Sequence, residues 1–317
     1  MSVQSVSGLL LSHQSLLLDN AWHKCGATMF DEFAGVAYSA GWSATRFLPE
    51  FLAYRSFSLL ADQSWFAQGK AITQYERNLA RVCPGLTRVE MRELSRKGMR
   101  SYMRYWCDTF RLQDWSRTRI VDTVLIEGEE NLRAALSDGG AIAALPHSGN
   151  WDHAGACIAL KGIRVATVAE RLKPESLFQQ FLEYRQSLGM DVYPLDATVM
   201  LPLMRKIKEG SLIALVADRD LSQHGIPVTF FGEQTTMPPG PAALSFQSGR
   251  PILPTVVTYT KNGIILRFGS PINPDRKANK SAEIQRMTQE CANHFAVEIA
   301  KAPWDWHMFQ PLWSADR

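Results

Sequence analysis

The chain has 317 residues, of which 46% are hydrophobic and 21% are charged, and its formal net charge at pH 7 is +3. A chain of this length and composition is expected to fold around a sizeable apolar core. The small net charge does not indicate a nucleic-acid-binding protein. Its cysteines are scattered, odd in number and without a C-x-x-C pair, which predicts reduced packing residues rather than a disulfide or metal set: Cys25, Cys83, Cys107, Cys157 and Cys291.

Residues 1–28 are predicted to form an extension that is mobile or lies at a membrane interface. Residues 9–18 are apolar, but a histidine, a glutamine and serines interrupt them, no basic residues precede them, and no clear cleavage site follows. An extension is therefore favoured over a cleaved signal peptide. No segment reaches the roughly 18 consecutive apolar residues that a membrane-spanning helix needs.

Residues 29–120 are predicted to be helical, because apolar and aromatic side chains recur at three- and four-residue spacing. Pro49 and Pro84 divide this part into three or four helices. The third helix carries arginines at strict four-residue intervals: Arg88, Arg92, Arg96, Arg100 and Arg104. This arginine stripe is either a solvated helix face or a surface for anionic lipid headgroups or cofactor phosphates.

Residues 121–317 alternate between strand and helix patterns, which predicts an α/β fold with a mostly parallel central sheet flanked by helices. Strands are predicted near residues 122–127, 141–146, 165–169, 191–194, 211–217, 251–260 and 263–270. Helices are predicted near residues 129–137, 151–161, 174–188, 198–209, 239–249 and 281–301. The last two strands are expected to form a hairpin, so that one edge of the sheet is antiparallel. No linker is visible, so the N-terminal helical layer is expected to pack on the sheet in a single domain, residues 29–317.

The apolar run of residues 141–146 ends at His147, and Asp152 follows five positions later. The run predicts a buried strand, and Asn150 predicts the N-cap of the helix near 151–161. His147 therefore lies between the carboxyl end of a strand and the amino end of a helix, where open α/β sheets bind ligands. Asp152 is expected to hold the far nitrogen of the imidazole, so that His147 acts as a general base. The alternative is a turn histidine followed by an ordinary first-turn acid.

Three predicted strands run into an ionisable residue: His147, Glu170 and Asp218. If the strands are parallel, these residues meet at one edge of the sheet, where burying them without a ligand would be costly. Arg219 and Asp220 follow the third strand, and a basic side chain there is suited to phosphate. The alternatives are a structural ion pair between Glu170 and Arg185, and a simple loop role for Asp220.

Several chemistries are excluded by the motifs that the sequence lacks. It has no G-x-S-x-G elbow, no phosphate-binding G-x-x-x-x-G-K-[ST] loop, no G-x-G-x-x-G and no H-E-x-x-H. His153 follows Asp152, but adjacent helical positions point apart and no third metal ligand is evident. No metal site is therefore predicted. His147 is expected to deprotonate a substrate hydroxyl that attacks directly.

Ordered motifs between about residue 40 and residue 313 resemble a known family. They are residues 147–152 (HSGNWD), 168–174 (VAERLKP), 184–185 (YR), 217–220 (ADRD), 230–233 (FFGE), 239–242 (PGPA) and 306–313 (WHMFQPLW). This set is similar to the actinobacterial phosphatidylinositol mannoside acyltransferases, in the lipid A acyltransferase-like branch of the glycerolipid acyltransferases with the His-x4-Asp signature. The Glu-Gly-Thr-Arg motif of glycerol-phosphate acyltransferases is absent, which favours a glycolipid acceptor.

The resemblance implies acyl transfer from a coenzyme A thioester, such as palmitoyl-CoA, to a mannose hydroxyl of a phosphatidylinositol mannoside. It implies no permanently bound cofactor. His147 would be the base and Asp152 its partner, and two further residues match active-site positions of the branch, Glu170 and Arg185. The resemblance leaves open which acidic residue after the fifth strand contributes: Asp218, Asp220 or Glu233.

This function implies a peripheral protein at the cytoplasmic face of the plasma membrane. The aromatic-rich N-terminal helices and the arginine stripe (Arg92, Arg96, Arg100, Arg104) would contact an anionic membrane surface. An apolar groove between those helices and the sheet would hold the acyl chain, and amides at the start of the 151–161 helix would stabilise an oxyanion. Two alternatives stay open: a lipid A-type acyltransferase that uses acyl carrier protein, and a non-catalytic lipid-binding protein. Acyl-chain length, the mannose hydroxyl and the oligomeric state are not predicted.

Overall fold

The structure is a computed structural model that describes residues 41–171, 174–220 and 224–316. The extension predicted for residues 1–28 lies outside the described residues, and so does the predicted beginning of the helical part, residues 29–40. The fold is α/β, as expected, with a mostly parallel seven-stranded sheet, helices on its faces and a helical layer on the N-terminal side.

The helices are α1 (Glu50–Phe66), α2 (Lys70–Val82), α3 (Arg88–Arg111), α4 (Arg117–Asp122), α5 (Glu129–Ser137), α6 (Trp151–Leu160), α7 (Glu175–Ser187), α8 (Met200–Lys208), α9 (Gly240–Ser248) and α10 (Lys280–Lys301). The strands are β1 (Val124–Glu127), β2 (Ala141–Leu145), β3 (Val165–Ala169), β4 (Met190–Pro194), β5 (Leu212–Val216), β6 (Ile226–Phe230), β7 (Glu233–Met237), β8 (Ile252–Tyr259) and β9 (Ile264–Phe268). Residues 41–47 are also helical. The predicted elements after residue 121 agree with these bounds to within a few residues.

The N-terminal helical layer is confirmed for the residues that the structure describes. Pro49 is the N-cap of α1, and Pro84 lies between α2 and α3. A capping box starts α3, since the Glu90 amide donates to the Thr87 hydroxyl and the Thr87 amide donates to the Glu90 carboxylate at 2.8 Å. The long helix α3 then packs against α1 and α2 and crosses to the segment after α10.

The sheet has the strand order β1-β9-β8-β2-β5-β3-β4. All neighbours in it pair in parallel except β8 and β9, which are antiparallel, as the predicted hairpin requires. The edge differs from the expectation, because β1 pairs in parallel with β9 and forms the outermost strand. The neighbours β2, β5 and β3 end side by side, and their carboxyl ends bear the predicted site.

A second, two-stranded sheet was not predicted from the sequence. Strands β6 and β7 form an antiparallel hairpin with a two-residue turn at Phe231 and Gly232. Both turn residues have positive φ, +49° and +81°, as this turn type requires. Phenylalanine is unusual in such a turn, and the packing of Phe231 on Phe230 and Trp306 compensates for the strained backbone.

Strand β2 divides the core into two layers. Ala141, Ala143 and Leu145 face α3, α6 and α7, whereas Ile142 and Ala144 face α8, α9 and α10. A strand that is buried on both faces needs the continuous apolar run that the sequence shows. The described cysteines are free, and three of these four are buried, in agreement with a packing role.

Candidate active site

The turn between β2 and α6 brings His147 to the edge of the sheet. The side chain of Asn150 caps α6, because its oxygen accepts a hydrogen bond from the His153 amide at 2.9 Å, which confirms the predicted N-cap. Gly149 has φ = +57°, and a Cβ atom there would lie 2.5 Å from the carbonyl oxygen of Val257. Glycine is therefore required at this position both by the backbone conformation and by the close approach of β8.

The carboxylate that holds His147 belongs to Asp218, just beyond β5. The His147 Nδ1 atom lies 2.5 Å from one carboxylate oxygen, and the His147 amide donates to the other at 3.0 Å. The Trp306 indole donates to this second oxygen at 2.9 Å. Asp218 has no solvent-exposed surface, so three donors replace water around a fully buried carboxylate.

These contacts determine the ionisation of Asp218 and the nitrogen through which His147 donates to it. Burial alone would raise the pKa of Asp218, but the His147 imidazole and the hydrogen bonds hold this pKa below its ordinary value. An ionised carboxylate can only accept hydrogen bonds, so Nδ1 of His147 is the donor, and the neutral ring in this tautomer has its lone pair on Nε2. The His147 side chain retains 17% of its surface exposed, which leaves the ring accessible to a substrate.

Asp152 does not have the role predicted for it. Its carboxylate accepts from Nε of Arg185 at 2.7 Å and from the Tyr105 hydroxyl at 3.1 Å. In the first turn of α6 its side chain faces α3 and α7, whereas Asp218 follows β5, the strand next to β2, and reaches Nδ1 of His147 directly. Burial alone would lower the pKa of Arg185, yet the Asp152 carboxylate keeps this pKa raised, so the guanidinium stays charged.

The alternative of a structural ion pair between Glu170 and Arg185 does not hold, because each has another partner. Glu170 lies 3.5 Å from Arg219, which follows Asp218 at the end of β5. The Arg219 side chain is 8% exposed, and its Nε atom is buried without a hydrogen-bond partner among the described residues. Glu170 and Arg219 therefore meet at the carboxyl edge of the sheet, as the parallel arrangement of β3 and β5 requires.

The other two acidic candidates lie in different surroundings. Asp220 is buried, and Gly225 passes so close that a Cβ atom there would lie 2.4 Å from its carboxylate. Glu233, at the start of β7, forms an ion pair with Arg81 of α2 at 2.8 Å and is half-exposed. Of the three acidic residues that the resemblance left open, Asp218 is the one that contacts His147.

The segment after α10 supplies contacts that the sequence analysis missed. The His307 amide donates to the His147 carbonyl at 2.7 Å, and the Gly149 amide donates to the Asp305 carbonyl at 2.9 Å. Together with the hydrogen bond from the Trp306 indole to Asp218, these bonds hold both sides of the turn between β2 and α6. The segment was quoted among the family motifs, but its spacing of more than 150 residues from His147 gives no sequence signal for such contacts.

A buried polar cluster fastens this segment to α3. The Ser101 hydroxyl donates to the Asp305 carboxylate at 2.7 Å and lies 3.0 Å from Nε2 of His307. Burial, with a smaller contribution from nearby His147, lowers the pKa of His307 to about 3, so its ring is neutral. The cluster therefore positions the turn around His147 and adds no further cation beside it.

Some backbone amides near the start of α6 already donate a hydrogen bond within the protein, and others do not. Those of His147 and Gly149 are used, by Asp218 and by the Asp305 carbonyl. The amides of Trp151 and Asp152 donate to no acceptor in the part of the chain that the structure describes. These two N–H groups lie where the positive end of the helix dipole is strongest and are suited to an oxyanion.

A narrow apolar cavity opens beside the histidine. It lies between α6 and the sheet, and Leu145, Trp151 and Val216 line the part of it nearest His147. The Trp151 ring is in edge contact with the His147 ring, with centroids 5.7 Å apart. This cavity lies under α6, on the face of the sheet that the N-terminal helices also cover, rather than between those helices and the sheet.

Four of the five arginines of the stripe have partners within the protein. Arg92 pairs with Glu76 at 2.8 Å, and Arg104 donates to the Thr260 carbonyl at 2.7 Å. Arg96 and Arg100 both form two-pronged ion pairs with Asp62 of α1, at 2.7 Å and 2.6 Å. The two guanidinium groups hold the pKa of the Asp62 carboxyl well below its usual range. The stripe joins α3 to α1 and α2, because acidic residues of those helices face it.

Among the described residues, none of the helices is both long and apolar enough to span a membrane. No group of three or more histidine, cysteine or acidic side chains in the same residues is arranged to hold a metal ion.

A buried carboxylate that orients an accessible histidine, beside an apolar cavity, is suited to the transfer of a lipid acyl group. The sequence agrees with this class: residues 27–315 match the bacterial lipid A biosynthesis acyltransferases, and the chain belongs to this family. It is also 41% identical over 286 residues to the phosphatidylinositol mannoside acyltransferase of Mycobacterium tuberculosis (strain H37Rv), an alignment that covers 88% of each chain. The protein of the same name from Mycolicibacterium smegmatis is 39% identical over 285 residues, 89% of this chain and 91% of the relative.

Proposed function

We propose that this protein transfers a long-chain acyl group from acyl-CoA to a mannose hydroxyl of a phosphatidylinositol mannoside. The observation that carries the proposal is the Asp218–His147 pair, whose partly exposed imidazole contacts Trp151 in the lining of the apolar cavity. The names of the relatives support the acceptor, since about 40% identity extends over nearly the whole chain. Palmitoyl-CoA is the donor that we would test first.

In the proposed reaction, Nε2 of His147 takes the proton of the acceptor hydroxyl while the hydroxyl oxygen attacks the thioester carbonyl carbon. The tetrahedral intermediate then collapses, the carbon–sulfur bond breaks, and the proton passes from His147 to the departing thiolate of coenzyme A. Asp218 stabilises the imidazolium that exists between the two proton transfers. A general base of this kind contributes about 10²- to 10⁴-fold in rate.

The negative charge of the intermediate needs donors that are already in place. The amides of Trp151 and Asp152 supply them, because α6 begins next to His147 and Asn150 fixes its first turn. One such donor is worth about 2.7–4 kcal/mol of transition-state stabilisation in other enzymes. The ion pair between Asp152 and Arg185 keeps this first turn in position.

The membrane-facing part of the protein is proposed to be the beginning of the helical layer. Four large apolar side chains are exposed there, two just before Pro49 and two in the first turn of α1: Phe47, Leu48, Phe51 and Leu52. A group of exposed apolar side chains so close together in the chain is suited to insertion between lipid headgroups. We place the protein at the cytoplasmic face of the plasma membrane, where acyl-CoA is available.

The test measures free coenzyme A released from palmitoyl-CoA, with and without phosphatidylinositol mannoside in vesicles. The parent protein is expected to release coenzyme A only with the acceptor, and His147→Ala is expected to lose this activity. His294→Ala, at a histidine on α10, is the matched control and should retain it. Acceptor-independent release would indicate a thioesterase instead.

A second arm of the experiment offers palmitoyl-acyl carrier protein as the donor. If only this donor is consumed, the protein is a lipid A-type acyltransferase. If neither thioester is consumed and His147→Ala binds the glycolipid as well as the parent does, the protein binds lipid without catalysis. Either result would contradict the proposed function.

A further inference from the structure

The segment after α10 (residues 303–316) is fixed to the helical layer by a buried side chain. Asn78 of α2 has no exposed surface, and its amide nitrogen donates to the Met308 carbonyl at 2.8 Å and to the Gln310 carbonyl at 2.9 Å. A buried amide that lost these acceptors would be left without partners, which is unfavourable. The segment therefore has little freedom to move relative to α2.

One side chain of this segment reaches the buried carboxylate beside His147. The Trp306 indole donates to one oxygen of Asp218 at 2.9 Å, and the His147 amide donates to the same oxygen at 3.0 Å. The other oxygen of Asp218 lies 2.5 Å from Nδ1 of His147. Among the described residues, the indole is thus the one donor to this carboxylate that His147 does not supply.

The indole of Trp306 is held in place by aromatic packing. Trp306 has no exposed surface, and its ring lies 6.0 Å from the ring of Phe230, 6.2 Å from that of Phe231 and 6.3 Å from that of Trp313, measured between centroids. An indole nitrogen can only donate, so a buried tryptophan needs an acceptor, and Asp218 is that acceptor. The packing determines where the N–H group points, and the N–H group holds the carboxylate.

We propose that Trp306 is a positioning residue for the proposed reaction, and that its indole determines how strongly His147 binds a proton. The inference rests on the proposed function, in which His147 takes up and releases a proton in each turnover. A hydrogen bond from a neutral donor disperses part of the negative charge of a carboxylate, so Asp218 attracts the imidazolium less than it would without the indole. The indole therefore favours the neutral form of His147, which is the form that can act as a base.

The surroundings of Asp218 agree with this role. Burial raises the pKa of Asp218, whereas the His147 imidazole and the hydrogen bonds from His147 and Trp306 lower it. Without the indole, His147 alone would compensate for burial of the carboxylate. The carboxylate would then hold the proton on Nδ1 of His147 more strongly.

Replacement of Trp306 removes no charge from the elements around the turn between β2 and α6. Those elements contribute the following titratable side chains: Tyr105 on α3, Asp152 on α6, Arg185 on α7, Glu170 after β3, Arg219 and Asp220 after β5, Tyr259 on β8, and Asp305 and His307 in the segment after α10. The His307 ring is neutral, because burial lowers its pKa to about 3. A change in the proton affinity of His147 can therefore be assigned to the lost hydrogen bond.

The first measurement is the pH dependence of kcat/KM for the parent and for Trp306→Phe, which keeps an aromatic ring and removes the N–H donor. The proposed reaction needs neutral His147, so kcat/KM falls at low pH as the ring is protonated. The midpoint of this fall should move to higher pH by about 0.5–1 unit in the variant. Well below both midpoints, this shift corresponds to a loss of about three- to tenfold relative to the activity at high pH.

The second measurement needs neither substrate. Diethyl pyrocarbonate reacts with the lone pair of a neutral imidazole, and the His147 side chain is 17% exposed. The rate of modification of His147, followed by mass spectrometry of the peptide that contains it, gives the midpoint of its protonation. This midpoint should move in the same direction and by the same amount. Incorporation of benzothienylalanine at position 306, which has sulfur in place of the N–H group and nearly the same shape, repeats the comparison without a cavity.

Trp313→Phe is the matched control. The Trp313 indole belongs to the same segment, has no exposed surface and donates to the Phe230 carbonyl at 3.2 Å rather than to Asp218. This variant should lose stability but keep the parent midpoint in both measurements. An equal shift in both variants would show that loosening of the segment, and not the bond to Asp218, causes the change.

Two failures can be distinguished. If the parent transfers no acyl group from either donor, the proposed function fails, while the modification rates still decide whether Trp306 controls the protonation of His147. If Trp306→Phe loses activity equally at every pH and both midpoints stay unchanged, the indole only supports the packing of the turn and the inference is wrong. A shift of both midpoints to higher pH in Trp306→Phe, and not in Trp313→Phe, would establish it.

Discussion

The Asp152 carboxylate and the Arg185 guanidinium form an ion pair at 2.7 Å that joins the first turn of α6 to α7. Their side chains are 1% and 16% exposed, and the Tyr105 hydroxyl completes the hydrogen bonding of the carboxylate. The aspartate of the His-x4-Asp pattern therefore holds the helix that follows the histidine, rather than the histidine itself.

Removing one partner of this pair should strongly destabilise the protein. Arg185→Met leaves a buried carboxylate without its cation, for which the expected cost is about 3–5 kcal/mol in the free energy of unfolding. Urea denaturation measures it. The double variant with Asp152→Asn should recover much of the loss, because no uncompensated charge remains. Equal stability of the single and double variants would contradict the assigned pairing.

Asp218→Asn should abolish most of the activity while the fold is retained. An asparagine cannot stabilise the imidazolium and can present its amide to Nδ1, which favours the wrong tautomer of His147. We expect kcat to fall by about 10²- to 10⁴-fold. Glu233→Gln is the matched control, because Glu233 contacts Arg81 rather than His147. Comparable losses in both variants would show that the His147–Asp218 contact does not carry the effect.

The free energy of unfolding should decrease as the pH falls below about 6.5. Burial lowers the pKa of His153 from 6.5 to about 4 in the folded protein, although its hydrogen bond to the Ile120 carbonyl opposes this change. Between these values the unfolded chain binds a proton that the folded protein does not, so each pH unit costs about 1.4 kcal/mol. His307, with a pKa of about 3, adds to the slope.

This pH dependence can be assigned with His153→Gln, which keeps an N–H donor for the Ile120 carbonyl. Denaturation of the variant and the parent at several pH values between 7 and 4 should show a shallower slope for the variant. If the variant and the parent instead lose stability with the same slope, His153 is protonated equally in the folded and unfolded states and does not cause the pH dependence.

Membrane binding should depend on the exposed apolar side chains between residues 47 and 52 rather than on the arginine stripe. The Arg92, Arg96 and Arg100 to Ser triple variant should float with anionic vesicles as the parent does, but unfold at lower denaturant concentration, because the ion pairs to Asp62 and Glu76 are lost. The double variant Phe47→Ser and Phe51→Ser should lose flotation and keep its stability. Loss of flotation in the triple variant would show instead that the arginine stripe binds the membrane.

The strand, turn and helix around His147 could be predicted from the sequence because their signals are local. An apolar run on the buried strand β2, followed by Gly149 and then Asn150 at the N-cap, determines this unit within a dozen residues. The β6–β7 hairpin was missed since its turn residue Phe231 adopts positive φ only through packing on Trp306 and Phe230. The turn propensities of the local sequence do not indicate that packing.

The arginine stripe shows the same limit for electrostatics. The four-residue spacing is visible in the sequence and correctly places the arginines along one helix. Their partners are not visible, because Asp62 and Glu76 lie on other helices and meet α3 only in the packed layer. A pattern of charge therefore determined the helix face, and the neighbouring helices decided what that face contacts.

The sequence by itself determined the α/β class, the positions of seven of the nine described strands and of the six helices after residue 121, and the histidine at the carboxyl edge of the sheet. Only the tertiary structure decided which carboxylate accepts the hydrogen bond from His147. Asp152 is five residues away, and Asp218 is 71 residues away, yet the placement of β5 directly beside β2 brings Asp218 to Nδ1 of His147. Strand order is set by how the whole chain packs its helices on two faces of the sheet, and no spacing along the sequence encodes it.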